Sequence, residues 1–354
     1  MKLRNLFQLA LLASVITFIA PSCVKEGPIG ASGADGTNGT NGTDGTATCL
    51  SCHDGTVIEA KKAEFYASEH SLGAVAVESE GGTVGCSRCY SSQGFIEYAT
   101  LGAVQGTILK PTAWECATCH GIHTTFAAND FALRLEAPVK SNISATYMFD
   151  FKNNSNLCVN CHQARTAEPN IATPGTTFKV SVRIGPHHGP QGNIVAGVGF
   201  AEIAGGINGI TYPAPGVAVA GTKDHFNAAC TGCHMAPNGV AQGGHSLIPN
   251  LVACNTCHGA TELDYNHGGK QTLVKGKMIE LRDRLVSLGL VIKTTDATTG
   301  LDTYAPKSPN TVPMVQAQAL YNYFGLVDDR SNGVHNPKYV TALLINSLEA
   351  LKAF

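Results

Sequence analysis

The chain has 354 residues, 24 Lys and Arg against 26 Asp and Glu, a formal net charge of −2 and only 14% charged residues. That balance excludes the electrostatic footprint of a nucleic-acid binder, or of a protein held on an anionic membrane by its own basic patch. Aromatic residues are 7% with a single Trp, and Gly numbers 39, so side chains alone are short of material for a core. The excess lies elsewhere, in 13 Cys and 13 His.

The N-terminus reads as a targeting segment. Lys2 and Arg4 precede a largely apolar run, Leu6 to Ala20, too short to span a bilayer comfortably. Ala20-Pro21-Ser22 leads to Cys23, as in a bacterial lipoprotein signal, so residues 1–22 are expected to be removed and Cys23 lipidated. Ala20 departs from the Leu usual three positions before such a Cys, and a secretory signal followed by a stray Cys is the alternative. Cys23 is the only cysteine outside a Cys-x-x-Cys pair, which favours lipidation. In residues 23–47, Gly recurs at every third position from Gly27 to Gly45. A collagen triple helix needs that period but also imino acids, and Pro28 stands alone. The segment is expected to be a polar extended spacer, with a trimeric stalk as the alternative.

From residue 48 the chain carries six Cys-x-x-Cys pairs: Cys49/Cys52, Cys86/Cys89, Cys116/Cys119, Cys158/Cys161, Cys230/Cys233 and Cys254/Cys257. Alone, such a pair could bind zinc, cycle as a dithiol or close a disulfide. Five of the six are followed directly by His: His53, His120, His162, His234 and His258. Zinc ribbons do not need His at that one offset. Cys-x-x-Cys-His is the attachment sequence of c-type haem, in which the thiols bond the haem edge and the His becomes the proximal iron ligand. The sixth pair ends in Tyr90. There the readings are a haem with Tyr90 as a phenolate ligand, a haem served by a spare His, a Cys86–Cys89 disulfide without haem, or a catalytic centre.

Each iron needs a second axial ligand. Eight histidines remain: His70, His123, His187, His188, His225, His245, His267 and His335. Met is scarce, so mostly bis-His, low-potential haems are expected. His187 and His188 are adjacent, so one of them ligates, and His188 is taken with His70, His123, His225, His245, His267 and His335 as the distal set. Several haems packed together would supply the interior that side chains lack. The expected fold is mainly loops and short α-helices around a haem cluster over residues 48–270, with little β-structure.

Residues 271–354 differ. Leu273 to Leu290 has a helical apolar rhythm, Pro313 to Leu326 predicts a second helix, and Asn336-Pro337 predicts the cap of a third reaching about Lys352. These helices are expected to pack on the haem domain.

Several segments carry a resemblance to secreted bacterial multihaem c-type cytochromes. They are Cys86–Phe95 (CSRCYSSQGF), Cys116–His123 (CATCHGIH) with Phe131–Arg134, Leu157–Arg165 (LCVNCHQAR), His187–Gly192 (HHGPQG) and Gly333–Tyr339 (GVHNPKY). In that group the first segment usually reads Cys-x-x-Cys-His before Gly-Phe, so Tyr90 is a departure. The resemblance implies electron transfer at or outside the cell surface by five or six haems. It implies other redox proteins or extracellular acceptors as partners, and some relatives polymerise, so monomer, homo-oligomer and filament all stay open; the leader and Cys23 predict the outer-membrane lipid anchor. The alternative is a multihaem reductase of a small nitrogen or sulfur oxyanion, with the Cys86/Cys89/Tyr90 haem as its active site and Arg88, Arg134 and Arg165 as anion clamps. For each of these Arg side chains the favoured reading is a haem propionate partner, since every haem brings two carboxylates.

Overall fold

A computed structural model describes residues 53, 55–123, 131–169, 177–237, 243–259 and 264–354. The leader, Cys23, the Gly-X-Y spacer and the first thiol pair, Cys49 and Cys52, lie outside the described residues. Residues Thr46–Phe354 form one unit by their internal contacts.

Short helices dominate from residue 55 to 258. They are α1 (Thr56–Tyr66), α2 (Glu69–Leu72), α3 (Ala74–Glu80), α4 (Val84–Tyr90), α5 (Ser92–Leu101), α6 (Cys116–Cys119), α7 (Ser155–Val159), α8 (Gln191–Ala196), α9 (His225–His234) and α10 (Leu251–His258). Three two-stranded antiparallel ladders are the described β-structure: Val139–Lys140 with Met148–Phe149, Thr177–Val180 with Asn310–Pro313, and Val291–Thr295 with Asp302–Pro306. Numbered β1 to β6 in chain order, they pair β1 with β2, β3 with β6, and β4 with β5. The β3–β6 ladder, Thr177 opposite Pro313 through Val180 opposite Asn310, ties the middle of the chain to its C-terminal part.

The apolar core is unevenly distributed. Among described residues, only Val77 and Phe95 are buried apolar side chains before Val139, and none lies between Ala229 and Val274. Helix α1 runs 11 residues and α10 runs 8, yet neither buries a residue. Helices so short are marginal in water without a packed face. These two carry or adjoin the Cys–His motifs, where a large apolar disc would supply the missing interior.

The C-terminal third has a conventional core. Helices α11 (Lys270–Ser287), α12 (Met314–Asp329) and α13 (Pro337–Leu351) pack on one another. Leu281, Leu285, Leu320, Leu343, Leu344 and Leu351 are fully buried there. The Asn336 side chain accepts from the Tyr339 amide at 3.1 Å, and Pro337 follows it, so the cap expected from the sequence starts α13. Helix α11 ends earlier than its apolar rhythm predicts. Gly289 takes a left-handed φ of 67°, its amide donates to the Val286 carbonyl at 2.9 Å, and the Leu290 amide donates to the Leu285 carbonyl at 2.9 Å. That is a Schellman stop, with Leu285 and Leu290 both in the core. The apolar rhythm continues past the helix because Leu290 and Val291 are buried as the chain enters β4.

Candidate haem-binding site

The thiol pairs sit on helical turns. Cys86 and Cys89 lie in α4, Cys116 and Cys119 are the ends of α6, Cys230 and Cys233 lie in α9, and Cys254 and Cys257 lie in α10. Cys158 lies in α7, and the His162 amide donates to its carbonyl at 3.0 Å, so the helical turn continues through this motif. Three residues apart on a helix puts both thiols on one face, and the next residue is four from the first Cys, on the same side. The spacing therefore directs two thiols and an imidazole to one object.

Each of the five motif histidines has a second histidine facing it. Ring centroids are 5.8 Å apart for His53 and His123, 6.0 Å for His162 and His70, and 6.2 Å for His120 and His245. They are 6.3 Å apart for His234 and His335 and 6.1 Å for His258 and His225. An imidazole nitrogen bonds a transition metal at about 2.0–2.1 Å, so two trans imidazoles on one metal have centroids roughly 6 Å apart. All five pairs have that gap. His267 does not: its ring lies 3.9 Å from that of His258, too close for a metal between them. His188 is also outside these pairs. Its side chain is 73% exposed, with Nδ1 3.5 Å from Asp328 Oδ1. No group of three or more His, Cys, Asp or Glu converges on one point among the described residues, as a zinc site would require.

The rings are oriented through Nδ1. His120 Nδ1 donates to the Phe131 carbonyl at 2.5 Å, His234 Nδ1 to the Leu247 carbonyl at 2.8 Å, and His225 Nδ1 to the Val334 carbonyl at 2.5 Å. His162 Nδ1 meets Gln191 Oε1 at 3.2 Å, and His335 Nδ1 meets Asp329 Oδ1 at 2.6 Å. A carbonyl only accepts, so Nδ1 carries the proton and Nε2 keeps its lone pair. This is the arrangement in which histidine binds a metal through Nε2, with the acceptor fixing tautomer and ring plane. His245 is held from α1, where Glu64 Oε2 accepts from its amide at 2.9 Å and lies 3.4 Å from its Nδ1.

Burial favours the neutral ring at His70, His162 and His234. It holds His70 down at about 4, with the neighbouring His162 and His234 adding to the effect. His162 and His234 are also lowered, chiefly by burial. A metal needs the neutral ring, so burial favours ligation. The single Trp, Trp114, sets its ring against His70 at 5.3 Å, edge to face.

Thiols of different motifs adjoin. The Cys161 thiol donates to the Arg88 carbonyl, between Cys86 and Cys89, at 3.7 Å, and the Cys158 and Cys230 thiols lie near enough to shift one another's titration. Cys119 is pushed up to about 11 by burial and by the nearby Cys158 and Cys116 thiols. Cys233 is raised by burial and by Cys254 and Cys257. The motifs are thus contiguous in space. The sequence predicts the clustering but not which motifs adjoin, because that rests on contacts between residues about seventy positions apart.

At the sixth motif, burial and the Cys89 and Cys86 thiols raise the Tyr90 phenol, partly offset by Arg165. Arg165 Nη2 donates to the Gly85 carbonyl at 3.0 Å, while Nη1 is buried without an acceptor among the described residues. Arg88 bonds the Asn160 carbonyl and covers the Tyr98 ring at 4.0 Å, yet its buried Nε has no acceptor. Two orphaned guanidinium donors beside one thiol pair fit a group that brings carboxylates, as a haem does with its propionates. Arg134 is different, since its Nε donates to the Ala117 carbonyl at 2.8 Å. The residues present therefore fit haem at the regular motifs and at the Tyr90 motif.

Comparison of the whole fold agrees with the site. The crystal structure of the outer cell wall cytochrome OcwA superposes with a TM-score of 0.50 at 19% identity. The match covers 82% of this chain and 50% of that one. This chain has a multihaem cytochrome fold. The cytochrome likeness agrees with the dominance of short helices and loops and with the little strand present. The chain matches about half the length of OcwA, and the identity is low enough that the fold alone is shared. No protein-family model matches the chain, and no curated protein does.

Proposed function

We propose that this chain is an exported electron carrier holding six covalently bound haems. The observation that carries the reading is the set of five histidine pairs at 5.8–6.3 Å, one member of each belonging to a Cys-x-x-Cys-His motif. Bound haem supplies a one-electron carrier at each motif.

The thiols of Cys49/Cys52, Cys86/Cys89, Cys116/Cys119, Cys158/Cys161, Cys230/Cys233 and Cys254/Cys257 would anchor the groups. His53, His120, His162, His234 and His258 would ligate from the motif side. His123, His245, His70, His335 and His225 would close the opposite faces in that order. With an imidazole from each side at these five motifs, the residues would exclude water and small substrates, which suits outer-sphere transfer. A reductase needs one iron with an open face, and the histidine pairs weigh against that at the five regular motifs. The contacts between different motifs favour a continuous route for electrons over isolated centres. Low potentials are expected, because imidazole on both sides lacks the upward shift a Met ligand gives.

The leader, Cys23 and the Gly-X-Y spacer support an outer-membrane-anchored lipoprotein held off the membrane, passing electrons to other redox proteins or extracellular acceptors. The outer cell wall location of OcwA supports a surface role for this chain also. No helix among the described residues is long and apolar enough to cross a membrane.

Intact mass with a pyridine haemochrome count and EPR tests the proposal. Six haems with low-spin ferric iron at the five regular motifs are expected. Five haems, with Cys86 and Cys89 oxidised to a disulfide, would remove the sixth. Predominantly high-spin iron would overturn the bis-His carrier.

A further inference from the structure

The sixth thiol pair has no motif histidine, and three histidines stand outside the five pairs: His187, His188 and His267. His267 sits against His258 at 3.9 Å, at a different motif. His188 turns toward α12, its amide donating to Asp328 Oδ2 at 3.2 Å, and most of its side chain is in solvent. His187 is half-buried and follows Pro186, whose carbonyl accepts from the Arg165 amide.

The backbone holds this neighbourhood together. The Arg165 amide donates to the Pro186 carbonyl at 2.9 Å, and its Nη2 donates to the Gly85 carbonyl at 3.0 Å. One residue thus bridges the position before His187 and the position before Cys86. His187 and His188 both have left-handed backbone, φ 64° and 43°, between Gly185 and Gly189 at φ 135° and 78°. Two consecutive non-glycine residues in that region store strain, which proteins keep where a side chain must be aimed.

We propose that His187, and not its neighbour His188, supplies the imidazole that ligates iron at the Cys86/Cys89/Tyr90 centre. The proposal rests on the reading that Cys86 and Cys89 carry a haem. His187 supplies for this motif the imidazole that His123, His245, His70, His335 and His225 supply for the other five. It comes from a loop about a hundred residues downstream, and Arg165 holds that loop against α4.

The test compares His187→Asn with His188→Asn in the full haem-loaded protein. Asn tolerates left-handed backbone and is too short to reach as His does. Haem count by intact mass comes first: five in the wild type would sink the sixth-haem reading itself. With six, His187→Asn is expected to change the EPR and Soret signature of one centre in six, with added imidazole restoring it, while His188→Asn leaves the spectra as in wild type. Unchanged spectra in His187→Asn, or a change confined to His188→Asn, overturns the assignment. His187→Met guards against a misfolded Asn variant. It retains an axial ligand, so it should raise the potential of a single centre and leave the others in place. If no potential moves in the Met variant, the assignment fails as well.

Discussion

Asp329 Oδ1 accepts a 2.6 Å hydrogen bond from Nδ1 of His335, the ring that stands 6.3 Å from His234. Asp329 is only 3% exposed, and Ser331 donates to its other oxygen, so the carboxylate is fixed. A carboxylate on Nδ1 makes the imidazole a stronger donor than a carbonyl does, which favours ferric iron. The other ring of this pair, His234, leans on a backbone carbonyl.

Asp329→Asn should therefore raise the potential of one centre, the one at Cys230/Cys233. Losing about 1 kcal/mol of preference for the oxidised state corresponds to roughly 40 mV for a one-electron couple. Spectroelectrochemical titration would show one wave moving and the rest staying. If all waves move together, Asp329 acts on the fold and not on its ligand.

Distal histidines should behave differently from their neighbours. His245→Ala removes the ring 6.2 Å from His120, and one low-spin centre should become high-spin. His267→Ala removes a ring that cannot share a metal with His258, and it should leave the low-spin count unchanged. EPR of the two variants side by side checks both expectations.

Acid should weaken the fold through buried histidine. The folded state holds His70 at about 4, below its ordinary value of 6.5, so the unfolded chain binds the proton first. Stability is complete above 6.5 and falls as pH drops from there to about 4. The loss is at most about 3 kcal/mol from this one group. Iron ligation would act in the same direction. Urea unfolding between pH 7 and pH 4 should show the decline, and His70→Met should flatten it, since Met can ligate without titrating.

Tyr90→His should leave the haem count at six while moving one low-potential centre upward, because a phenolate holds ferric iron more strongly than imidazole. Identical potentials in both proteins would mean that Tyr90 is not a ligand.

The C-terminal helices should answer to ordinary core rules. Leu343 in α13 and Leu281 in α11 are both fully buried. Replacing either by Ala should cost about 2–5 kcal/mol. Chemical denaturation with haem retained would measure it.

Much of this organisation is legible in the chain itself. Thiol anchors and motif-side histidines follow from local spacing, because one helical turn aims i, i+3 and i+4 the same way whatever surrounds it. The cap at Asn336 and the apolar face of α13 are local for the same reason. Helix α11 shows the limit: its apolar rhythm runs on through Leu290, and only the left-handed Gly289 marks where helix becomes strand. The partners of the motif histidines were out of reach. His335 meets His234, and His245 meets His120, across more than a hundred residues, and no periodicity encodes such a distance. The tertiary structure alone decided which ring faces which, because a ring's orientation depends on acceptors supplied by other segments, such as the Val334 carbonyl for His225 and Asp329 for His335. The same holds for His187 and His188: adjacency made them equivalent in the sequence, and their backbone angles and the opposing Arg165 and Asp328 turned one inward and the other to solvent.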